Sequence, residues 1–348
     1  MRAVVSSSQH GYRSAPSFFR GNLIESQDTP ERLESFVAIV REMGLEMVEP
    51  PTIADSLLKS VHDADYLEFL AEAPGRWQDT LPGAVSLLPN IWPSRHFPAR
   101  RPRHYLGQAG YYLGDTVSPL TAQTWAAVLG SASSAAHAAS LVLAGEPVAY
   151  SLCRPSGHHA HADMGQGFCY LNNAAIAATV ARGRHARVAV IDIDVHHGNG
   201  TQHIFYGRDD VLFCSLHSEP ELTFPFFAGY ADEVGAGRGE GFNLNLPLKV
   251  GSGDAAYLSA LDTAIERIRR FDAGLLVVSL GLDAHESDIL GSLNVTTAGF
   301  GEIARRLAAL RLPTVLVQEG GYTVSEVGTV LRSVLSAFEA AARGSAPA

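Results

Sequence analysis

The chain has 348 residues, 46% of them hydrophobic and 18% charged, and 26 Lys+Arg against 36 Asp+Glu give a net charge of -10. This balance supports a sizeable core and excludes a disordered chain, and its sign argues against non-specific binding of nucleic acid. The three cysteines (Cys153, Cys169, Cys214) form no CxxC pair, the first residues carry no apolar signal core, and runs such as Leu275–Leu280 are too short to span a bilayer; the expectation is a cytoplasmic protein with no membrane and no nucleic-acid partner.

Ala3–Ser6 reads as a first strand, and Pro30–Met43 as a helix stopped by Gly44. From about Arg76 to Leu120 the chain is rich in Pro, Arg and aromatics and shows no alternation of strand and helix. A long irregular segment with that aromatic content reads as an ordered insertion, lid or interface. Thr121–Ala144 is an Ala- and Ser-rich helix closed by Gly145, followed by strand Val148–Leu152 and helix Leu171–Ala181. Val188–Ile193 and Val211–Leu216 are strands. Helix Ala255–Arg270, strand Leu275–Leu280, helix Ala298–Leu310, strand Thr314–Val317 and helix Ser325–Arg343 complete the pattern, with a frayed tail over about 344–348. Apolar strands separated by helices predict an α/β fold with a mostly parallel sheet covered on both faces. With no internal repeat or linker, 1–348 reads as one domain.

Five of these strands run into polar clusters at their carboxyl ends, where ligands bind in parallel α/β sheets. The clusters are Arg154-Pro-Ser-Gly-His-His159, Asp192-Ile-Asp-Val-His-His-Gly-Asn-Gly200, His217, Gly281-Leu-Asp-Ala-His285 and Glu319-Gly-Gly-Tyr322. Asp192, Asp194 and His196 alternate at period two and share a face if the strand continues. Such groups need a metal or a hydrogen-bonded network to satisfy them. Asp283 is the best further ligand, and Asp194, His196 and Asp283 would leave an open position at a catalytic zinc site, although oxygen-rich ligation also admits Fe(II), Mn(II) or Co(II). His158 and His159 are candidates for moving a proton and for holding charge beside an oxyanion. The Tyr322 hydroxyl could donate to a polarised carbonyl, but taken alone a Gly-Gly-Tyr turn with a packed Tyr is the commoner reading. His10, His62, His96, His104, His137, His161, His185 and His203 read as ordinary core or surface residues.

Together these segments, with Gly167-Phe-Cys-Tyr-Leu-Asn-Asn173, Ser215-Leu-His217 and Ser279-Leu-Gly-Leu-Asp283, resemble the histone deacetylase/acetylpolyamine amidohydrolase family of the arginase–deacetylase fold. Val61-His-Asp-Ala-Asp-Tyr-Leu67, Gly107-Gln-Ala-Gly-Tyr-Tyr112 and Phe224-Pro-Phe-Phe-Ala-Gly-Tyr230 look most like its bacterial acetylpolyamine amidohydrolases. The resemblance implies a single domain with an eight-stranded sheet, and zinc held by Asp194, His196 and Asp283. It makes His159 the general base with Asn199 as its partner, His158 an electrostatic histidine paired with Asp192, and Tyr322 the oxyanion donor. Phe168 and Phe224 match the walls of the acyl tunnel, and the Gly167 carbonyl matches the acceptor of the substrate amide N–H. Asp192, Asp194, His196, Ser215 and Leu216 match a structural K+ or Na+ site.

The implied activity is removal of acetyl groups from small N-acetylated amines, acetylpolyamines by default, by a homodimer joined through the insertion at about 76–120. The chain departs from the family pattern at Ser156, Gln166 and Ile289, all near the rim. Leu106 occupies one position where an acidic residue would bind a distal ammonium group, Asp115 is the candidate for another, and Arg95, Arg100, Arg101 and Arg103 add positive charge. An acyl-lysine deacylase is the alternative. A two-metal ureohydrolase needs a carboxylate where Gly198 stands, and a metal-holding binding protein has no use for the retained catalytic set.

Overall fold

The computed structural model describes residues 1–80 and 83–344; the tail expected to fray lies, from 345 on, outside the described residues. In chain order the strands are β1 Arg2–Val4, β2 Ser17–Phe19, β3 Asn22–Ile24, β4 Glu46–Val48, β5 Val148–Ser151, β6 Val188–Asp192, β7 Val211–Ser218, β8 Asn243–Leu248, β9 Leu275–Leu280 and β10 Thr314–Gln318. Eight form one sheet in the order β4-β1-β5-β10-β9-β6-β7-β8, and β2 and β3 form a separate antiparallel pair. Every pairing in the large sheet is parallel.

The sheet is parallel because its strands are apolar on both faces and each face has its own helical cover. Ala189, Ile191, Leu276, Val278, Leu280 and Leu316 share one core with helices Pro30–Glu42, Asp254–Phe271, Thr297–Ala308 and Val324–Gly344. Val188, Val190, Leu275, Val277, Val315 and Val317 join the opposite core, under helices Ala64–Thr80, Thr124–Leu143 and Asn173–Arg182. Neighbouring residues of one strand thus go to opposite cores, the period-two signature of an extended chain.

Helix ends shift by a few residues from the sequence reading for local reasons. Asn172 caps its helix by accepting from Ala175 N–H, so the helix starts at Asn173 and not at Leu171; Thr296 does the same for Gly299 N–H. Thr124–Leu143 is long and apolar enough to cross a membrane, contrary to the expectation that no segment is. It packs instead against helix Asn173–Arg182 and β5, with most of its surface inside the protein. The aromatic insertion is partly regular: it holds the end of helix Ala64–Thr80 and the helix Tyr105–Tyr112.

Candidate active site

The polar clusters follow β5, β6, β9 and β10, which lie side by side at the centre of the sheet. β6 ends at Asp192, yet its alternation continues beyond the ladder. Ile193 and Val195 go into the core, and Asp192, Asp194 and His196 turn the other way. Asp194 Oδ2 accepts from Gly320 N–H at 2.8 Å and Oδ1 accepts from His196 N–H at 2.9 Å, while Asp283 Oδ1 accepts from Val195 N–H at 2.9 Å. A Cβ at Gly320 would stand 2.1 Å from Asp283 Oδ2, so the close approach of β10 to both carboxylates requires glycine there.

The ligand atoms of Asp194, His196 and Asp283 lie within 4.8 Å of one another. His196 Nδ1 is 3.2 Å from both Asp194 Oδ1 and Asp283 Oδ2. Donors bound at about 2.0–2.1 Å to one tetrahedral cation stand roughly 3.3 Å apart, so the set fits a divalent ion. Its own electrostatics say the same. Burial lowers the basicity of His196, but the two carboxylates outweigh it and raise the imidazole to about 10, while burial and the Asp194 charge push Asp283 up to about 7. A doubly charged cation relieves that crowding of negative charge.

His158 and His159 lie side by side, their ring centres 4.0 Å apart and their planes tilted by 40°, and are driven in opposite directions. Burial opposes charge on His158, but Asp194, Asp192 and Glu319 outweigh it and hold the ring well above its usual value. Its Nδ1 is 2.9 Å from Asp192 Oδ2. Burial and the positive charge of His158 push His159 well below its usual value, and its Nδ1 pairs with Asn199 Oδ1 at 2.8 Å. Charge is thus favoured on one ring and disfavoured on its neighbour, a separation of roles typical of acid–base sites.

Tyr322 follows β10. Burial raises its phenol well above the usual value, so it stays a donor. Its backbone N–H donates to Asp288 Oδ2 at 2.6 Å, and the Arg32 guanidinium lies 4.5 Å above its ring. Arg32 also donates to Asp28 and to the carbonyls of Gly321 and, at 2.9 Å, Glu319. Asp28 in turn accepts from Arg154 Nε at 3.1 Å. Sequence reading missed this buried Arg32–Asp28–Arg154 group, whose only early signal is a charged pair four residues apart at the start of helix Pro30–Glu42. It missed Asp288 as a holder of the tyrosine turn as well. Glu319 accepts from Gly157 and His158 N–H at 2.7 and 3.1 Å, and burial pushes it up to about 8.

The aromatic walls flank these groups. Phe224 meets the His159 ring edge-on at 4.8 Å and Phe168 stands 5.8 Å from the Tyr322 ring. Gly167 and Phe168 both have left-handed backbones, with φ of +57° and +65°. For Phe this costs about 1–2 kcal/mol, and two side chains hold it. Asp115 Oδ2 accepts from Gly167 N–H at 2.6 Å and Ser118 Oγ accepts from Phe168 N–H at 3.1 Å. Asp115 therefore sits under the turn, with its other oxygen accepting from Val117 N–H at 3.0 Å.

Ser215 pairs in register with Asp192, and Leu216 beside it is fully buried. Ser215 Oγ is 2.9 Å from His217 Nδ1, and His217 Nε2 donates to the Gly229 carbonyl. Two histidines read as ordinary prove tied to the site: His161 touches Asn199, and His62 accepts from Asn172 N–H at 2.9 Å. Of the insertion residues, Arg101 pairs with Glu68 at 3.2 Å, and Leu106 is half-buried.

Residues 26–338 match the family described as the histone deacetylase domain. The acetylpolyamine amidohydrolase of Burkholderia pseudomallei (strain 1710b) is 44% identical over 329 residues, which are 93% of this chain and 94% of that protein. The acetylpolyamine amidohydrolase of Mycoplana ramosa is 40% identical over 95% of this chain and 98% of its own length. A crystal structure of acetylpolyamine aminohydrolase from Burkholderia pseudomallei, 42% identical, superposes with a TM-score of 0.94 over 98% of this chain and 99% of that one. The strand-end clusters all fall within the matched span, and by sequence and by fold the chain belongs to the histone deacetylase domain family and is a hydrolase.

Proposed function

We propose that this chain is a metal-dependent amidohydrolase that removes acetyl groups from small N-acetylated amines, acetylpolyamines first among them. The observation that carries the reading is the meeting of the two adjacent histidines, a buried tyrosine and a three-donor metal set beside Phe168 and Phe224. Relatives that share nearly their whole length with this chain carry that activity in their names.

Asp194, His196 and Asp283 hold the cation, zinc by default with Fe(II), Co(II) or Mn(II) admitted by the same donors. When bound, a divalent ion polarises the acyl carbonyl and acidifies water. His159, bonded through Nδ1 to Asn199, takes the proton on Nε2 and later passes it to the leaving amine. His158, kept charged by Asp192, steadies the negative charge that develops. The Tyr322 hydroxyl donates to the oxyanion, and Arg32 fixes the carbonyls on both sides of that turn. Phe168 and Phe224 sandwich the acyl group, with the Gly167 carbonyl as acceptor for the amide N–H. Backbone oxygens of Asp192, Asp194, His196 and Leu216, with Ser215, would hold K+ or Na+ beneath the site. The insertion, with Ile91 and Phe97 68% and 78% exposed, is the surface for a homodimer, and three buried unpaired cysteines suit a cytoplasmic setting.

A specific observation favours a second reading, deacylation of acyl-lysine in peptides. Asp115 is engaged with backbone N–H groups and Leu106 is apolar, so neither offers a free carboxylate to a distal ammonium group. The deciding experiment compares kcat/KM for an acetylated polyamine and an acetyl-lysine peptide on one zinc-loaded preparation. Preference for the polyamine is expected. Preference for the peptide overturns the small-amine reading, and hydrolysis of neither overturns both.

A further inference from the structure

We propose that His161 is a positioning residue which, together with Gln166, fixes the orientation of the Asn199 amide and thereby keeps the His159 proton on Nδ1. The inference rests on His159 as the base and adds to it the device that makes its Nε2 available.

Four polar groups stand in a row. His159 Nδ1 lies 2.8 Å from Asn199 Oδ1, and Asn199 Nδ2 lies 3.2 Å from His161 Nε2. His161 Nε2 in turn lies 2.9 Å from Gln166 Nε2, which is 3.5 Å from the backbone carbonyl of His159. A carbonyl only accepts, so it turns the Gln166 amide with its N–H outward. The Gln166 N–H then faces His161 Nε2, which accepts it with a lone pair and carries no proton. With that acceptor in place, Asn199 directs its N–H to His161 and its oxygen to His159, and an oxygen beside Nδ1 demands a proton there. The lone pair of His159 is left on Nε2, on a ring that lies 4.8 Å from Phe224 and 6.0 Å from the ligand His196 between ring centres. A flipped Asn199 would place an N–H against His159 Nδ1, move the proton to Nε2 and block the base.

The surroundings keep His161 in the required state. Burial and the neighbouring His203, with ring centres 4.8 Å apart, lower it to about 4, so it is a neutral acceptor over the range in which most hydrolases work. Its backbone is tied on both sides: His161 N–H donates to the Met164 carbonyl at 2.8 Å, and its own carbonyl accepts from His62 Nδ1 at 2.9 Å. Gln166, through its contacts to His161 and to the His159 carbonyl, is what completes the row. Asn199, unlike a carboxylate, has an end that donates and an end that accepts, and therefore needs a neighbour to tell it which way to face.

The test combines kinetics with a readout that does not depend on turnover. In metal-loaded enzyme carrying 15N-labelled histidine, the His159 ring signals are identified by their loss in His159→Ala. The wild type should show a protonated Nδ1 and a bare Nε2. His161→Leu should mix the two tautomers and lower kcat by about tenfold, part of what a general base contributes, with KM, metal content and Tm little changed. His161→Gln, which restores an acceptor at the same reach, should return both the tautomer and most of kcat. In an Asn199→Asp background, where the side chain only accepts, His161→Leu should add no further loss. A His159 tautomer unchanged in His161→Leu overturns the proposal, as does His161→Gln falling as far as His161→Leu. If His161→Leu does not fold, Gln166→Leu supplies the same comparison of tautomer and kcat. If the wild type hydrolyses no amide, the functional reading fails while the ring signals still decide this one.

Discussion

Gly167→Ala tests the site without touching a group that binds metal or moves a proton. A methyl group at this position would lie 2.4 Å from His159 Cδ2, 3.0 Å from its Cγ and 3.1 Å from Phe224 Cε1. Carbon atoms settle at about 3.5 Å or more, so the imidazole must retreat by roughly 1 Å. A shift of that size in a reacting group costs about a hundredfold in rate. The left-handed backbone, φ +57°, adds about 1–2 kcal/mol of lost stability. Gly44→Ala is the control, since Gly44 has φ +67° but nothing within 4 Å of its added Cβ. Both variants should lose similar stability in urea melts, and only Gly167→Ala should lose kcat/KM, with metal content and fold retained. Activity of Gly167→Ala within about threefold of wild type would refute the placement of His159 at the reacting centre. Equal loss of activity in Gly44→Ala would show that the effect comes from the backbone and not from the imidazole.

Tyr322→Phe should leave metal content and Tm unchanged and lower kcat by about a hundredfold, as loss of one oxyanion donor does; an unchanged kcat would remove Tyr322 from the reaction. Asp194→Ala should abolish metal binding measured by elemental analysis, and full occupancy would contradict the ligand set. Stability should fall on acidification because burial lowers His62 from 6.5 to about 4, and His217 likewise to about 4. With the folded value below the unfolded one, the unfolded chain takes up the proton first. The stability is therefore complete above pH 6.5 and declines as pH falls toward about 4, by roughly 3 kcal/mol for His62 in full. Urea melts of His62→Gln should show a shallower decline over that window, and an unaltered slope would show that His62 is not the group that titrates.

The centre of the fold was legible because β5, β6, β7, β9 and β10 are buried on both faces and therefore read as unbroken apolar runs. The edge strands were not. β4 is three residues with two exposed, and β8, Asn-Leu-Asn-Leu-Pro-Leu, alternates and carries a proline suited to an edge. Helix Ala64–Thr80 has Pro74 inside it, a residue that argues locally against a helix and that packing of Tyr66, Phe69 and Leu70 overrides. In the site, Asp194, His196, Asp283, His158 and His159 stood out because charged groups at the ends of apolar strands are costly unless used. Arg32 did not stand out, because on an amphipathic helix an arginine reads as surface, and its partners Gly321 and Glu319 are nearly three hundred residues away. His161 escaped notice for a related reason: only the fold brings it to Asn199.

The position of β10 bears on how the protein is made. The strand between β5 and β9 is the last of the sheet in the chain, so during synthesis the sheet stays in two halves, each with an open apolar edge, until Thr314–Gln318 has left the ribosome. The same strand carries Glu319 and Tyr322 at its end. A nascent chain that stops short of β10 therefore lacks both its central seam and Tyr322, and exposes two edges able to pair with other chains. Closure of the sheet and assembly of the candidate site thus become one late event, governed by contacts between residues far apart in sequence and slow for that reason.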